Sequence, residues 1–418
     1  MTQNIYSYKR NNCRLCSSNE LLKVLDVPAS QPVDGFRPHS HKYLNLPRFE
    51  MDLYMCKRCG HHQLLDIVKP DLLYGSYIYT SSSSPDLKLH FKKYGEYLKD
   101  KLKIDDTKNI LDVGCNDGLF LKTLSKYSCN LYGIDPAPNI KDNLKDASYK
   151  LFSGYCNHEN LNSLSDKFQV KSFDLITANN VFAHADNLEE MLSSIVNKLS
   201  DDGNFCFEVS YILDMVESNV IDYIYHEHLS YHGIKSLKPF LKRFGLFIYD
   251  IERINTKGGS IRVLCTKNET EENTELINQF INLEVNKKCY DPSKYESISL
   301  NISQFSKKLN DYLTKFDNNH IFSYGAAPTS IVNSLLLNYD KKLNAYLDDN
   351  PIRQNNLTPN NFIPVLSPSI LSNIDKPLVI VGAWRFSEII IPKILNINDK
   401  TEIIIPSLSE GVKFYKNK

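Results

Sequence analysis

The sequence predicts an α/β chain in three parts: a small cysteine-rich module, a central doubly wound parallel-sheet domain, and a second, smaller doubly wound domain. Three observations carry that prediction. Two Cys-x-x-Cys pairs lie near the N-terminus, at Cys13/Cys16 and Cys56/Cys59. An apolar run ending in an acidic residue, a glycine-bracketed turn and an apolar helix follow one another from Ile110 to Leu121. The same strand, small-residue turn and helix return at Ile321–Ala327 and beyond. A chain of 418 residues has room for two or three such units.

The first part spans 1–75. Its two cysteine pairs supply four soft thiolates, the donor set of a tetrahedral, structural zinc. Gly60 follows Cys59 and relieves crowding where the second knuckle turns. Redox use of one pair is the rival, but no thioredoxin-like βαβ pattern surrounds either pair. His39, His41, His61 and His62 lie nearby, and one of them could stand in for a cysteine. Residues 73–80 are rich in tyrosine and hydroxyl groups, which could line a pocket or simply pack.

The central domain spans 76–265. Its first turn, Gly114-Cys115-Asn116-Asp117-Gly118, lacks the full Gly-x-Gly-x-x-Gly spacing and carries carboxylates at Asp112 and Asp117. Those charges oppose a pyrophosphate at a helix N-terminus. They suit a cofactor with no phosphate and a cationic amino-acid end, and S-adenosylmethionine fits. Asp135 ends the next strand, about 20 residues on, where a carboxylate usually grips a ribose diol. The expected cofactor contacts are Asp112, Gly114, Asn116, Gly118 and Asp135, joined by Asn179 at the end of the strand 173–180. Ligands sit outside the carboxyl ends of parallel strands, so Asn179, Asn180 and His184 face the correct side. Leu188, Met191, Leu192, Ile195, Val196 and Leu199 form the 3.6-residue stripe of the following helix. Asn204–Val209 is a further strand, with Glu208 near the same rim.

The densest chemistry is Tyr223–His232, with three histidines, a glutamate and three tyrosines in ten residues. His228 and His232 are spaced for a shared metal on a helix, but the His-Glu-x-x-His pattern fails at Ser230. A surface patch is the other rival. The pattern favours proton transfer by a histidine oriented by a neighbouring glutamate, with a tyrosine hydroxyl to polarise an oxygen.

Residues 266–318 read as a charged helical connector, with Ile298, Ile302, Phe305, Leu309 and Leu313 on one stripe. The C-terminal part, 319–418, repeats the strand, turn and acidic strand end at Ala345–Asp349, Leu378–Gly382 and Glu402–Ile405. It suits a second nucleotide, or is a structural copy. Lys+Arg and Asp+Glu are both 49, so formal net charge is zero and the footprint of a nucleic-acid binder is missing. The sequence has no apolar run of membrane-spanning length and no signal-peptide core, and its ten cysteines suit a reducing cytoplasm.

Together these residues resemble the zinc-containing, three-domain nucleotide-sugar C-methyltransferases. The resemblance rests on the paired knuckles, Leu-Asp-Val-Gly-Cys-Asn-Asp-Gly at 111–118 and Asn-Asn-Val-Phe-Ala-His at 179–184. It continues through Tyr-His-Glu-His at 225–228, Gly-Gly-Ser-Ile-Arg at 258–262, Tyr-Gly-Ala-Ala at 324–327 and Asp-Asp-Asn-Pro at 348–351. It implies a Rossmann-like S-adenosylmethionine-dependent methyltransferase domain at the centre and a Rossmann-like C-terminal domain that helps hold a nucleotide. It implies one structural Zn²⁺ on Cys13, Cys16, Cys56 and Cys59. The substrate it implies is a nucleotide-linked 4-keto-deoxysugar, deprotonated beside the carbonyl by His228 with Glu227 in support. His184, Tyr225 and Tyr79 would contact the keto oxygen or the sugar ring. A monomer or weak dimer is expected, with neither nucleic acid nor membrane as partner. The chain departs from the family at Pro328-Thr329 and at Arg385, where a small residue followed by a basic one, and an asparagine, are usual. An O- or N-methyltransferase would share the cofactor site without needing a carbon base. A non-catalytic sugar-nucleotide binder would need no acid–base cluster at all.

Overall fold

A computed structural model describes residues 5–41, 46–74, 80–83, 85–127, 129–137, 148–256 and 258–415; Tyr79, expected at the site, lies outside them. The central sheet has seven strands in the order 247–254, 260–266, 199–210, 173–179, 109–113, 130–135, 150–153. The five strands from Leu199–Ser210 across to Lys150–Ser153 are parallel, and Ser260–Thr266 and Phe247–Ile254 close the edge antiparallel. Side chains alternate across the pleat, so neighbouring residues feed different cores. Ile110 and Leu175 pack with Leu87, Phe91, Tyr94 and Leu98 of the helix Pro85–Leu102. Leu111, Val113, Ile176 and Ala178 pack on the other face with Leu161, Leu164, Leu188, Leu192 and Ile195. Both faces are covered, which is why these strands read as continuous apolar runs.

From Asn109–Val113 the chain builds outward through Asn130–Asp135, then crosses back to Phe173–Asn179 on the opposite side. That reversal opens a crevice beyond the carboxyl ends of Asn109–Val113 and Phe173–Asn179, where such sheets bind ligands. The Gly114–Gly118 turn and the segment Asn179–His184 both emerge there.

The N-terminal part is not closed on itself. Leu21–Leu25, Leu53–Cys56 and His62–Gln63 form an antiparallel sheet whose fourth strand, Ser230–Tyr231, comes from the central domain. Arg37–Pro38 likewise pairs with Asn356–Leu357 of the C-terminal part. The segment 266–318 holds the helices Thr274–Asn286 and Pro292–Leu313, the latter capped by Asp291 with Pro292 at its first position. Beyond it, six strands order as 365–366, 345–347, 321–324, 378–381, 402–407, 411–415, antiparallel only at the last. Pro328 opens the helix Pro328–Leu336 at a position where its missing N–H has no intrahelical partner to lose. Among the described residues, no helix is long and apolar enough to cross a membrane.

Candidate active site and zinc centre

The four knuckle sulfurs lie within 4.8 Å of one another. Cys13 and Cys59 approach to 3.6 Å, and Cys16 and Cys56 to 3.5 Å. A tetrahedron of Zn–S bonds of about 2.3 Å has sulfur–sulfur edges of about 3.8 Å, so the cluster fits one zinc ion with no position left open for chemistry. None of the nearby histidines belongs to the cluster. His61 Nε2 meets Ser230 Oγ at 3.2 Å, His62 Nε2 meets the Tyr295 hydroxyl at 2.7 Å, and His39 and His41 are exposed.

At the cofactor crevice, left-handed backbone shapes the turn: φ is 68° at Gly114, 49° at Asn116 and 73° at Gly118. A Cβ on Gly114 would stand 2.1 Å from Val181, and one on Gly118 would stand 2.2 Å from the Tyr149 hydroxyl. Asp135 accepts the Asn116 amide on one oxygen and the Ala137 amide on the other, both at 2.9 Å. Each of its oxygens keeps a second lone pair for a ribose hydroxyl. Beyond the ribose contact expected of it, the Asp135 carboxylate fastens the turn through the Asn116 amide. Asp112 accepts from Thr177 Oγ1 at 2.7 Å and Asn179 Nδ2 at 3.2 Å. Burial, with the charges of Asp135 and Glu208 adding to it, pushes its pKa up to about 7. Asn179 Oδ1 and Asp117 Oδ1 are buried acceptors with no hydrogen-bond partner among the described residues. Acceptors left over beside a glycine turn suit the ammonium of a methionine end, so the site fits S-adenosylmethionine. Glu208 lies on this rim, but its carboxylate is taken up by Arg262, at 2.8 and 2.6 Å, and by His90 Nε2 at 2.7 Å.

The segment 223–232 sends its three histidines in three directions. His226 is buried, its Nε2 reaching the Phe49 carbonyl at 3.4 Å, and burial pushes its pKa down to about 4. His232 is buried against the rings of Phe182 and His61, and its pKa falls to about 3 for the same reason. Neither shares a metal cluster with His228; the cysteine set alone has that geometry among the described residues. The His228 ring lies 4.2 Å from that of Tyr225, 5.1 Å from His184 and 5.9 Å from Tyr223, the last nearly parallel. Its Nδ1 is 2.8 Å from the Tyr223 carbonyl. A carbonyl only accepts, so Nδ1 carries the hydrogen and the lone pair of the neutral ring is on Nε2. The group that meets the ring at Nδ1 is thus a main-chain carbonyl. Glu227 is buried beside it in the turn.

The cofactor crevice and this cluster are contiguous. Gly114 abuts Val181, whose carbonyl accepts the His184 amide at 2.8 Å. The Ala183 carbonyl accepts the Leu229 and Ser230 amides at 2.9 and 3.2 Å.

Two further supports carry no sequence signal. Asp222, buried next to Tyr223, accepts from both terminal nitrogens of Arg385, at 2.6 and 3.0 Å, and from Trp384 Nε1 at 3.0 Å. The Arg385 guanidinium also lies 4.7 Å from the centre of the Tyr223 ring. The arginine that departs from the family pattern is therefore an interdomain ion-pair residue. Arg14, inside the first knuckle, is the second such support.

Three family models match in order along the chain. They are "Putative zinc binding domain" over residues 13–74, "Methyltransferase domain" over 89–250 and "C-methyltransferase C-terminal domain" over 255–407. The C-methyltransferase NovU of Streptomyces niveus is 25% identical over 255 residues, covering 61% of this chain. The chain spans about 60% of that relative's length. A mitochondrial ubiquinone biosynthesis O-methyltransferase of Bos taurus is 31% identical over 132 residues, covering 27% of this chain and 33% of its own. Among solved structures, magnesium protoporphyrin IX methyltransferase of Synechocystis PCC 6803 with bound SAH overlaps 43% of this chain and 83% of its own, at 13% identity and a TM-score of 0.35. In one chain, then, matches to a zinc-binding domain, a methyltransferase domain and a C-methyltransferase C-terminal domain follow one another, in the order in which the cysteine knuckles, the glycine turn and the second parallel sheet follow one another in the fold.

Proposed function

We propose that the protein is an S-adenosylmethionine-dependent C-methyltransferase acting on a nucleotide-linked 4-keto-deoxysugar. The observation that carries this reading is the His228 ring, held at Nδ1 by the Tyr223 carbonyl and packed against His184 and Tyr225. Oxygen and nitrogen nucleophiles hold a lone pair already, whereas a carbon must first lose a proton. A ketone lowers the acidity barrier at the adjacent carbon, and His228 Nε2 takes that proton. The electron pair left behind spreads onto the keto oxygen. Tyr225 and His184, whose rings pack on that of His228, would donate hydrogen bonds to that oxygen as its charge grows. S-adenosylmethionine, when bound, supplies a methyl group on a sulfonium. The proton held on His228 Nε2 then returns to solvent. Asp135 holds the ribose, while Asp112, Asn179 and the Gly114–Gly118 turn receive the amino-acid end. Incubation with S-adenosylmethionine and a panel of nucleotide 4-ketosugars, read by mass spectrometry, should give a product about 14 Da heavier on a ring carbon. A methyl group found only on oxygen or nitrogen, or no transfer to any 4-ketosugar, would reject the reading.

The Asp112 environment adds a pH dependence. Its pKa near 7 leaves the carboxyl protonated at pH 6 and ionised at pH 8. A cationic cofactor end favours the ionised form, so binding strengthens as pH rises through 7. Affinity should be about tenfold greater at pH 8 than at pH 6, with proton release on binding below pH 7. Calorimetry in buffers of different ionisation enthalpy measures both. Equal affinity at the two pH values with no proton release would exclude Asp112 from the cofactor contact.

A further inference from the structure

Arg14 is the second residue of the first knuckle, and its side chain is fully buried. Its Nη1 donates to the Leu64 carbonyl at 2.7 Å and to the Leu229 carbonyl at 3.0 Å. Its Nε donates to Asp186 Oδ1 at 3.0 Å, and Nη2 stands 2.9 Å from the same oxygen. Asp186 follows His184 by two residues, and Leu229 follows His228 by one. One guanidinium therefore grips both segments that carry the histidines of the site, from a backbone fixed between two cysteines. The backbone is anchored as well, because the Arg14 amide donates to Gln63 Oε1 at 3.0 Å. Arg10 Nη1 and the Tyr8 hydroxyl hold the same carboxylate from the N-terminal side, at 3.1 and 2.8 Å.

We infer that Arg14 is the positioning residue that sets His184 and His228 against each other, so that the cysteine module acts in the reaction as a jig rather than as a remote stabiliser. This inference rests on the reading of His228 as the base. The chemistry asks for arginine in particular. A planar guanidinium offers five donors in fixed directions and can serve two carbonyls on one nitrogen while pairing a carboxylate with the others. Lysine keeps the charge but concentrates its donors at one point, so it serves the carboxylate or the carbonyls and not both. The two histidine segments are already joined by the Leu229 and Ser230 amides on the Ala183 carbonyl. Loosening the grip should appear first at those two bonds.

The test is Arg14→Lys in the full, zinc-loaded chain. Zinc should remain at about one per chain. The Leu229 and Ser230 amides should exchange with heavy water about tenfold faster or more, since their shared acceptor is no longer held in register. The value of kcat should fall about tenfold to a hundredfold, the scale of a 1 Å misplacement, with KM for the cofactor within about twofold of native. Asp186→Asn, which keeps shape and removes the charge, should move both readouts in the same direction and decides the matter if the lysine variant does not fold. Native amide protection in either folded variant would overturn the inference. So would native kcat with a raised KM, or zinc lost from folded Arg14→Lys. If the native chain methylates no ketosugar, the functional reading fails, and amide exchange alone still decides whether Arg14 holds the two segments together.

Discussion

Replacing His228 by asparagine is expected to lower methyl transfer by about a hundredfold to ten-thousandfold, the contribution of a positioned general base, while cofactor affinity and zinc content stay native. Asparagine is the informative replacement because its side-chain amide can still donate to the Tyr223 carbonyl that now receives His228 Nδ1. The turn is then kept and only the proton acceptor is lost. His226 and His232 should behave differently. Both are buried, which holds their pKa values far below neutrality, and their ring contacts are Phe49 for His226 and Phe182 and His61 for His232. Their replacement should cost stability more than it costs the chemical step. Rates with the native cofactor at saturation, measured on protein matched for zinc and fold, separate the two classes. A His228→Asn variant retaining more than about a tenth of the native rate would remove it from the base role and turn attention to His184.

The second large effect lies at the seam between the central and C-terminal domains. Asp222 is 1% exposed and takes three hydrogen bonds from Arg385 and Trp384. Removing one partner of a buried pair leaves the other charge without compensation, at a cost of about 3–5 kcal/mol. Asp222→Ala and Arg385→Met should each lose that much in urea unfolding. The double variant should lose less than the sum, because neither charge is then stranded. The effect should reach the chemistry, since Arg385 also lies over the Tyr223 ring, and the Tyr223 carbonyl sets the tautomer of His228. A loss below about 1 kcal/mol for either single variant would mean that the pair is solvated and does not hold the seam.

Much of the fold was legible because its signals are periodic. Ile110, Leu111 and Val113, or Leu175, Ile176 and Ala178, read as strands covered on both faces, and each pair of neighbours does feed opposite cores. Acidic residues at strand ends and left-handed glycines announced the crevice for the same physical reason that they build it. The cysteine quartet was legible because four sulfurs at knuckle spacing have few other uses. The seams were not legible. Ser230–Tyr231 completes a sheet begun at Leu21, but a two-residue strand has no period. Arg14, Asp222 and Arg385 look like ordinary charges until tertiary folding brings together residues more than 160 positions apart. The crowding of histidines in 226–232 pointed to chemistry without saying which ring faces it. The choice of His228 came from the family block, and the group that meets its Nδ1 is a backbone carbonyl, which no side-chain pattern encodes. Asp135 was legible as an acceptor at the strand end, whereas its second task, fastening the Asn116 amide, depends on the left-handed turn.

The central claim is that this chain makes a carbon nucleophile, and the most direct measurement is hydrogen exchange at the carbon beside the ketone. Native protein is incubated in heavy water with the nucleotide 4-ketosugar that it methylates, with S-adenosylhomocysteine in place of the methyl donor, and deuterium is read at the ring carbon by NMR. The account predicts incorporation of one deuterium at the position that would receive the methyl group, and its loss in His228→Asn. Methyl transfer without any exchange at that carbon, or exchange that persists at the native rate in His228→Asn, would contradict it.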